Sequence, residues 1–445
     1  AGGEGPRRGL SWMPQGAGLY YLESEGGARR DSADAAPAVG RAGGRGGAGG
    51  GAANRPDRLI RWNPPFGPGD TTTLYRHTGA ISGVAFTDDA KMVFAGATAN
   101  GMGEIFAVRL DEPGRRYTVV RQRGYTPSLG GGGGRGGGGG GRGGAAGDDS
   151  LSFYNNPGAL TTRRGSAGGQ VAMLSSDSAV FLRGTQYFRD FLQNPPRDFV
   201  DRVDIRTGQK TRLFEWAKDA FETVAAPLDD EFSQAIVVRE APSEVGNSFL
   251  RDMKSGTMKK LTSNTDYTPE FTRSIRKRIT ITRPDGIKFV ARVTLPADYT
   301  PGTKLPGMLW FYPYEYTTQA EYDRSLRSEN VNRFPQAGTR TIEYLATQGY
   351  AVANFDPPIM GETGRMNDNY VSDLRMNLYA VIAELDRQGW IDRTRLGIGG
   401  HSYGAFSTAN ALVHTPFFKA GIAGDGMYNR TLTPTGFQSE RRDLW

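Results

Sequence analysis

The sequence predicts two domains in tandem, an all-β domain followed by an α/β domain with a mostly parallel sheet. Three observations carry this prediction. Before about Arg276, short apolar or alternating segments recur at regular spacing. After it, strands and helices alternate, and a Gly-x-Ser-x-Gly pentapeptide sits between one strand and the next helix. At 445 residues the chain also exceeds one ordinary core.

In the first part, residues 18–22, 81–86, 92–95 and 105–110 read as strands, with Asp88-Asp89 turning the second into the third. A similar unit returns at 224–230 and 235–238. Two hairpins echo each other. Residues 203–208 and 251–256 each run a strand into a Thr/Ser-Gly turn, with basic return strands at 210–214 and 259–261. Such repeats suggest propeller blades, and at about 40–50 residues each the region holds about four or five. A β-sandwich is the alternative. The propeller-like domain is assigned to residues 1–270, with Gly/Arg-rich insertions near 26–58 and 130–147.

Those insertions account for the unusual composition. Gly supplies 63 residues, and the second tract is nearly pure Gly broken by Arg135 and Arg142. Neither tract can bury apolar surface, so both read as flexible insertions. The first holds six Arg against three Asp (+3) and the second two Arg and no acid (+2), which is +5 of the formal +7. The folded body is therefore nearly neutral. Arg-Gly tracts can bind RNA through phosphates and stacking. No aromatic residue is interleaved with these arginines, so they read as solvated loops and no nucleic acid is expected as a partner.

With no cysteine, a disulfide scaffold and cysteine-ligated metal are excluded, and no cofactor or metal is called for. No apolar run approaches the ~18 residues of a membrane span. The chain opens Ala1-Gly2-Gly3 without Met, as a processed or truncated protein would, so exported and cytoplasmic locations both stay open.

The second domain is assigned to residues 276–445. It opens with a hairpin, 279–283 and 289–295, turning at Pro284-Asp285-Gly286. Residues 307–311 read as a buried strand, 342–348 as a helix ended by Gly349, and 350–355 as the next strand. Ser372 is placed as the cap of a helix with Leu374, Leu378, Val381, Ile382 and Leu385 on one face and Gly389 beyond its end. Residues 395–399 and 420–423 are two further strands, so the sheet is mostly parallel and covered on both faces.

Strand 395–399 runs into Gly400-His401-Ser402-Tyr403-Gly404 and then a helix. In that context the pentapeptide reads as the nucleophile elbow of an α/β-hydrolase. Ser402 must take a strained backbone angle to lift its hydroxyl clear of the sheet. Gly400 and Gly404 are required because a Cβ there would strike the neighbouring strand and helix. The helix turns small residues (Ala405, Ser407, Ala409, Ala411) toward the sheet, and its N-terminus favours developing negative charge.

A nucleophilic Ser needs a base, and the chain has three histidines. His401 adjoins Ser402, so its ring should point away from the hydroxyl. His414 lies about three turns down the helix, out of reach at ~1.5 Å per residue. His77 reads as a loop or blade-packing residue of the first domain. In this fold the acid and base follow the Ser. They are therefore expected beyond residue 445, and residues 1–445 alone are expected to be nearly inactive. Asp425 is weighed as the acid, but a turn or substrate-loop role is preferred.

The segment 399–406, preceded by Trp390-Ile391-Asp392 and followed by Tyr428-Asn429-Arg430-Thr431-Leu432-Thr433-Pro434, resembles the prolyl oligopeptidase family, most of all its glutamyl endopeptidase branch. The resemblance covers about residues 276–445 strongly and the first domain diffusely. It implies a β-propeller followed by an α/β-hydrolase domain, here incomplete, and a serine peptidase that forms an acyl-enzyme with oligopeptides. Ser402 would attack the scissile carbonyl. The Tyr403 backbone N–H would donate to the oxyanion, and the family's tyrosine hydroxyl donor maps to Tyr312, with Tyr314 and Tyr316 close by. Arg430 falls in the matched segment as a possible substrate contact. However, Gly424-Asp425-Gly426 stands where Arg-Ser-Gly is expected, which argues against simple transfer of acidic specificity. An esterase on the same fold and a non-catalytic binding protein are the competing readings.

Overall fold

The computed structural model describes residues 4–25, 56–130, 154–426 and 428. The chain divides into two compact units, Ala1–Asn264 with Ser328–Phe334, and Thr265–Arg327 with Pro335–Trp445.

Among the described residues, the first unit is built mainly from four four-stranded antiparallel sheets. The first holds β1 (Glu4–Trp12), β2 (Leu19–Glu25), β3 (Asp57–Trp62) and β4 (Thr71–His77). The second holds β5 (Ile81–Phe86), β6 (Met92–Ala99), β7 (Met102–Arg109) and β8 (Arg116–Arg123). After β9 (Ala159–Leu160) comes a small hairpin, β10 (Thr162–Arg164) and β11 (Gln170–Ala172). The third sheet joins β9 to β12 (Ala179–Gln186), β13 (Arg197–Asp204) and β14 (Lys210–Glu215). The fourth holds β15 (Phe221–Pro227), β16 (Gln234–Ala241), β17 (Glu244–Asp252) and β18 (Met258–Lys260).

Successive sheets pack face to face, and alternation along each strand divides its residues between two cores. On β6, Val93, Ala95 and Ala97 join the core against the first sheet, whereas Phe94 joins the core against the third. On β12, Val180 and Leu182 face the second sheet and Phe181 the fourth. Burial on both faces explains why these strands read as unbroken apolar runs. This stack of four-stranded meanders is the blade architecture of a propeller.

Charges enter each sheet by a shared device. A buried carboxylate on one strand is met by an arginine of a neighbouring strand, as in Arg58–Glu23 at 2.6 Å and Arg239–Glu222 at 2.8 Å. Arg116 pairs with Glu104 and lies 4.0 Å over Phe106; Arg212 pairs with Asp201 and lies 4.2 Å over Phe199. The guanidinium satisfies the acid while its plane covers an aromatic ring.

Most of the two Gly/Arg-rich tracts, 26–55 and 131–153, lies outside the described residues. At its end the first tract is shorter than expected, because Asp57 and Arg58 belong to β3. Asp57 is fully buried and accepts from the Ile81 N–H at 2.6 Å and the Ser24 hydroxyl at 2.7 Å, contacts that hold it in the sheet.

The second unit starts with a short helix, α1 (Pro269–Thr272), and a six-stranded sheet. Its strands are β19 (Ile275–Thr282), β20 (Lys288–Leu295), β21 (Leu305–Phe311), β23 (Ala351–Phe355), β25 (Ile391–His401) and β26 (Ala420–Gly424), in the order β19-β20-β23-β21-β25-β26. The first two pairings are antiparallel and the remaining three parallel. A two-stranded pair, β22 (Tyr314–Tyr316) with β24 (Pro358–Met360), stands apart. The helices are α2 (Gln319–Leu326), α3 (Tyr370–Arg387) and α4 (Tyr403–His414). This is an α/β-hydrolase sheet led by a hairpin.

One local expectation is refined and one is corrected. Residues 342–348 form a 3₁₀ helix, ended by Gly349 in the left-handed conformation. Its threefold period aligns Ile342 and Leu345, which pack with Met308, Trp310 and Val352. Ser372 does not cap α3. A 3₁₀ turn over Met366–Asn369 runs straight into the helix, so the flanking residue is Asn369 and Ser372 lies inside the first turn.

One polar cluster pins this unit together. Arg283, buried at the end of the opening hairpin, donates to Asp373 Oδ1 at 2.8 Å, Asn377 Oδ1 at 3.3 Å and the Pro358 carbonyl at 3.2 Å. Asp373 also accepts from the Met360 N–H at 2.6 Å. Burial pushes the Asp373 carboxyl above its ordinary range, opposed by that N–H and by Arg283. In Arg283→Ala the carboxylate loses its cation, and stability in urea should fall by about 3–5 kcal/mol at neutral pH. The folded-state pKa, already raised, rises further without the arginine. The folded variant then holds its proton more tightly than the unfolded chain, so the deficit should shrink as pH falls through that value.

Candidate active site

Three adjacent parallel strands end side by side in the second unit. Trp310 of β21 is level with Gly399 of β25, and His401 of β25 with Gly424 of β26. The residues just past these ends are therefore neighbours: Tyr312, Ser402 and Asp425. The carboxyl ends of parallel strands are where ligands bind in α/β sheets, because side chains there are free of the ladder.

Ser402 occupies the sharp turn between β25 and α4, with φ 56° and ψ −114°. A non-glycine residue at positive φ persists only where its surroundings dictate it. Its N–H donates to the Gly424 carbonyl at 2.9 Å, and its own carbonyl accepts from the N–H groups of Ala405 and Phe406 at 3.0 and 3.1 Å. The turn has no space for larger neighbours. A Cβ on Gly400 would lie 2.5 Å from the Phe311 carbonyl oxygen, and one on Gly404 would lie 2.3 Å from the same atom.

Behind the turn, α4 is held by hydroxyls as much as by apolar contact. Tyr370 donates to Ser407 Oγ at 2.6 Å, and Ser407 donates to the Tyr403 carbonyl at 2.7 Å. Tyr403, the first residue of α4, stacks on Phe406, and its hydroxyl donates to Asn367 Oδ1 at 3.2 Å. Asn367 Nδ2 in turn donates to Glu315 Oε1 at 3.3 Å. Sequence reasoning assigned Ser407 only its small size and missed Asn367, Tyr370 and Glu315, since no spacing rule connects them.

Tyr312 follows β21 directly. Its N–H donates to the Phe355 carbonyl at 3.2 Å, and its ring meets Tyr403 edge-on at 6.0 Å and Tyr314 at 4.8 Å. Tyr316 is different. It is buried in the core against Tyr322, with its hydroxyl bonded to Ser325 at 3.3 Å.

Among the described residues no side chain hydrogen-bonds to the Ser402 hydroxyl. His401 Nε2 lies 3.3 Å from Asp425 Oδ2. His414 ends α4. His77 is buried in the first unit, stacked on Phe106 and engaged with Gly79 through Nδ1. Arg430 lies outside the described residues. Among the described residues no group of three or more His, Cys, Asp or Glu could hold a metal ion, and no helix is long and apolar enough to cross a membrane.

Gly404→Ala tests whether the close approach shapes the turn. The methyl would overlap the Phe311 carbonyl, so stability should fall by about 1–3 kcal/mol in a denaturant melt. Gly338→Ala, where the added Cβ would meet nothing closer than the Thr341 hydroxyl at 3.7 Å, should cost less.

Residues 336–443 match the family model described as "Prolyl oligopeptidase family". Over 261 residues the chain is 35% identical to an Arabidopsis thaliana protein named "Probable glutamyl endopeptidase, chloroplastic", covering 56% of this chain and 27% of that protein. It is 26% identical over 159 residues to the lasso peptide isopeptidase AtxE2 of Asticcacaulis excentricus, covering 33% of this chain and 21% of that one. The chain thus spans about a quarter of the length of the curated relatives it matches. Among solved structures, Porphyromonas gingivalis dipeptidyl peptidase 4 aligns at a TM-score of 0.45 and 15% identity, over 93% of this chain and 59% of that one. The fold assignment rests on the strand order, not on that alignment. The elbow at Ser402 lies within the segment that matches the prolyl oligopeptidase family model, and in this segment the chain is similar to that family.

Proposed function

We propose that this chain carries the nucleophile portion of a serine peptidase acting on oligopeptides. The observation that carries the reading is the backbone of Ser402, at positive φ between β25 and α4. A turn so constrained has a clear chemical use, which is to present a hydroxyl at the mouth of the sheet. Ser402 Oγ would attack the scissile carbonyl and form an ester as the amine leaves. The tetrahedral oxyanion would accept from the Tyr403 N–H at the start of α4, where the helix field also favours negative charge. The Tyr312 hydroxyl, at the end of the neighbouring strand, would be the second donor.

The acid and base of this mechanism are assigned to residues outside these 445. His401 is turned to Asp425, and neither His414 nor His77 is bonded to Ser402. Asp425 is therefore read as a residue of the substrate side of the turn, not as the triad acid. Arg430 is retained as a candidate substrate contact.

In the intact natural protein, a fluorophosphonate probe should label one residue, and Ser402→Ala should abolish the label. Retention of label in that variant would overturn the assignment. Tyr312→Phe should lower kcat on a peptide substrate by about 10²-fold, the usual loss for one oxyanion donor, with KM little changed. If Tyr314→Phe produced the loss instead, the second donor would be Tyr314. A peptide hydrolysed faster than an aryl ester of the same acyl group, per unit of intrinsic reactivity, would separate a peptidase from an esterase.

A further inference from the structure

The carboxylate beside the nucleophile has an arrangement that the proposed reaction does not use. Asp425 follows β26, immediately after the Gly424 whose carbonyl accepts the Ser402 N–H at 2.9 Å. It is held at φ 54°, a left-handed conformation that an aspartate tolerates better than most residues. Its side chain is 81% exposed, and among the described residues its one polar partner is His401 Nε2, 3.3 Å from Oδ2. Among the described residues Oδ1 faces no cation. The loop is backed by an aromatic ring. Tyr428 donates its hydroxyl to the Ala423 carbonyl at 3.0 Å, and its ring atoms lie 2.7 Å from where a Cβ on Gly426 would stand. Tyr428 is itself half exposed.

We infer that Asp425 and Tyr428 form a cation-recognition site for the substrate, selecting peptides with a lysine, arginine or free α-ammonium close to the scissile bond. The inference rests on Ser402 being the nucleophile, since that places the peptide at the ends of β25 and β26. A carboxylate and an aromatic ring together are the two groups that best replace the hydration of an ammonium or guanidinium. An acidic side chain in the same place would meet like charge. His401 occupies one oxygen of the carboxylate and orients it, leaving the other for the ligand.

The test separates recognition from catalysis. In the intact natural protein carrying Ser402→Ala, affinity is measured by fluorescence anisotropy for three labelled peptides that differ in one residue, Arg, Gln or Glu. The varied residue is placed in turn on each side of the scissile bond. At one position at least, the Arg peptide should bind about five- to tenfold more tightly than the Gln peptide, and the Glu peptide least. In Ser402→Ala/Asp425→Asn the Arg-to-Gln ratio should fall toward one, and Tyr428→Leu should lower it in part. Raising salt should weaken the preference in the parent only. Equal affinity for Arg and Gln at every position, or an Arg preference that survives Asp425→Asn, would overturn the inference. Because these are binding measurements, their outcome is independent of probe labelling. A lost charge preference with Ser402 labelling intact would sink the cation site alone; labelling that survives Ser402→Ala would sink the nucleophile alone.

Discussion

The backbone carbonyl of Phe311 is the fixed point of the second unit. It stands at the end of β21, so close to the turn after β25 that Gly400 and Gly404 have no room for a side chain. That approach lets β21 and β25 run parallel to their ends and lets α4 leave the sheet at once. Ser402 is then held at positive φ, at a strain of about 1–3 kcal/mol. The compensation is specific: the Gly424 carbonyl takes its N–H, and the first turn of α4 takes its carbonyl. Tyr312, Ser402 and Asp425 stand where they do because these three strand ends are level.

Small residues allow the close approach but bring little buried area. The helix that bears the turn compensates with hydroxyl bonds. Tyr370, Ser407 and the Tyr403 carbonyl form one chain, and Tyr403, Asn367 and Glu315 form another. Buried networks of this kind are directional, so they define one orientation of α4 where apolar packing of small side chains would allow several. The Arg283 cluster does the same for α3, joining the opening hairpin to the backbone of β24.

The first unit meets a different constraint. Its second and third sheets are buried on both faces, which leaves few routes to water for an ionised side chain. The recurring answer is an arginine whose head pairs with a buried acid and whose plane lies on an aromatic ring, seen at Arg116 and Arg212. The unit is thus uniform in its charge handling, although its sequence repeat is loose. Such a repeat is visible in space because cross-strand neighbours, not sequence neighbours, make the pair.

Much of this was legible in the sequence because it depends on local pattern. Strand period, the change of character near Arg276, and the glycines flanking Ser402 are all properties of residues close in the chain. The bulk of a Cβ against a neighbouring strand is the same wherever that strand comes from, so Gly400 and Gly404 could be read without coordinates. Other features needed the tertiary structure. The start of α3 shifted from Ser372 because a preceding 3₁₀ turn continues into it. Asp57 looked like part of a Gly/Arg-rich tract until its partners, Ser24 and Ile81, were brought beside it. Arg283 with Asp373, and His401 with Asp425, are pairs whose meaning lies in distance across the fold. The sequence by itself determined that Ser402 sits on an elbow, since steric demand is local. Only the tertiary structure decided what surrounds that serine, since the charge and hydrogen-bonding partners come from other strands.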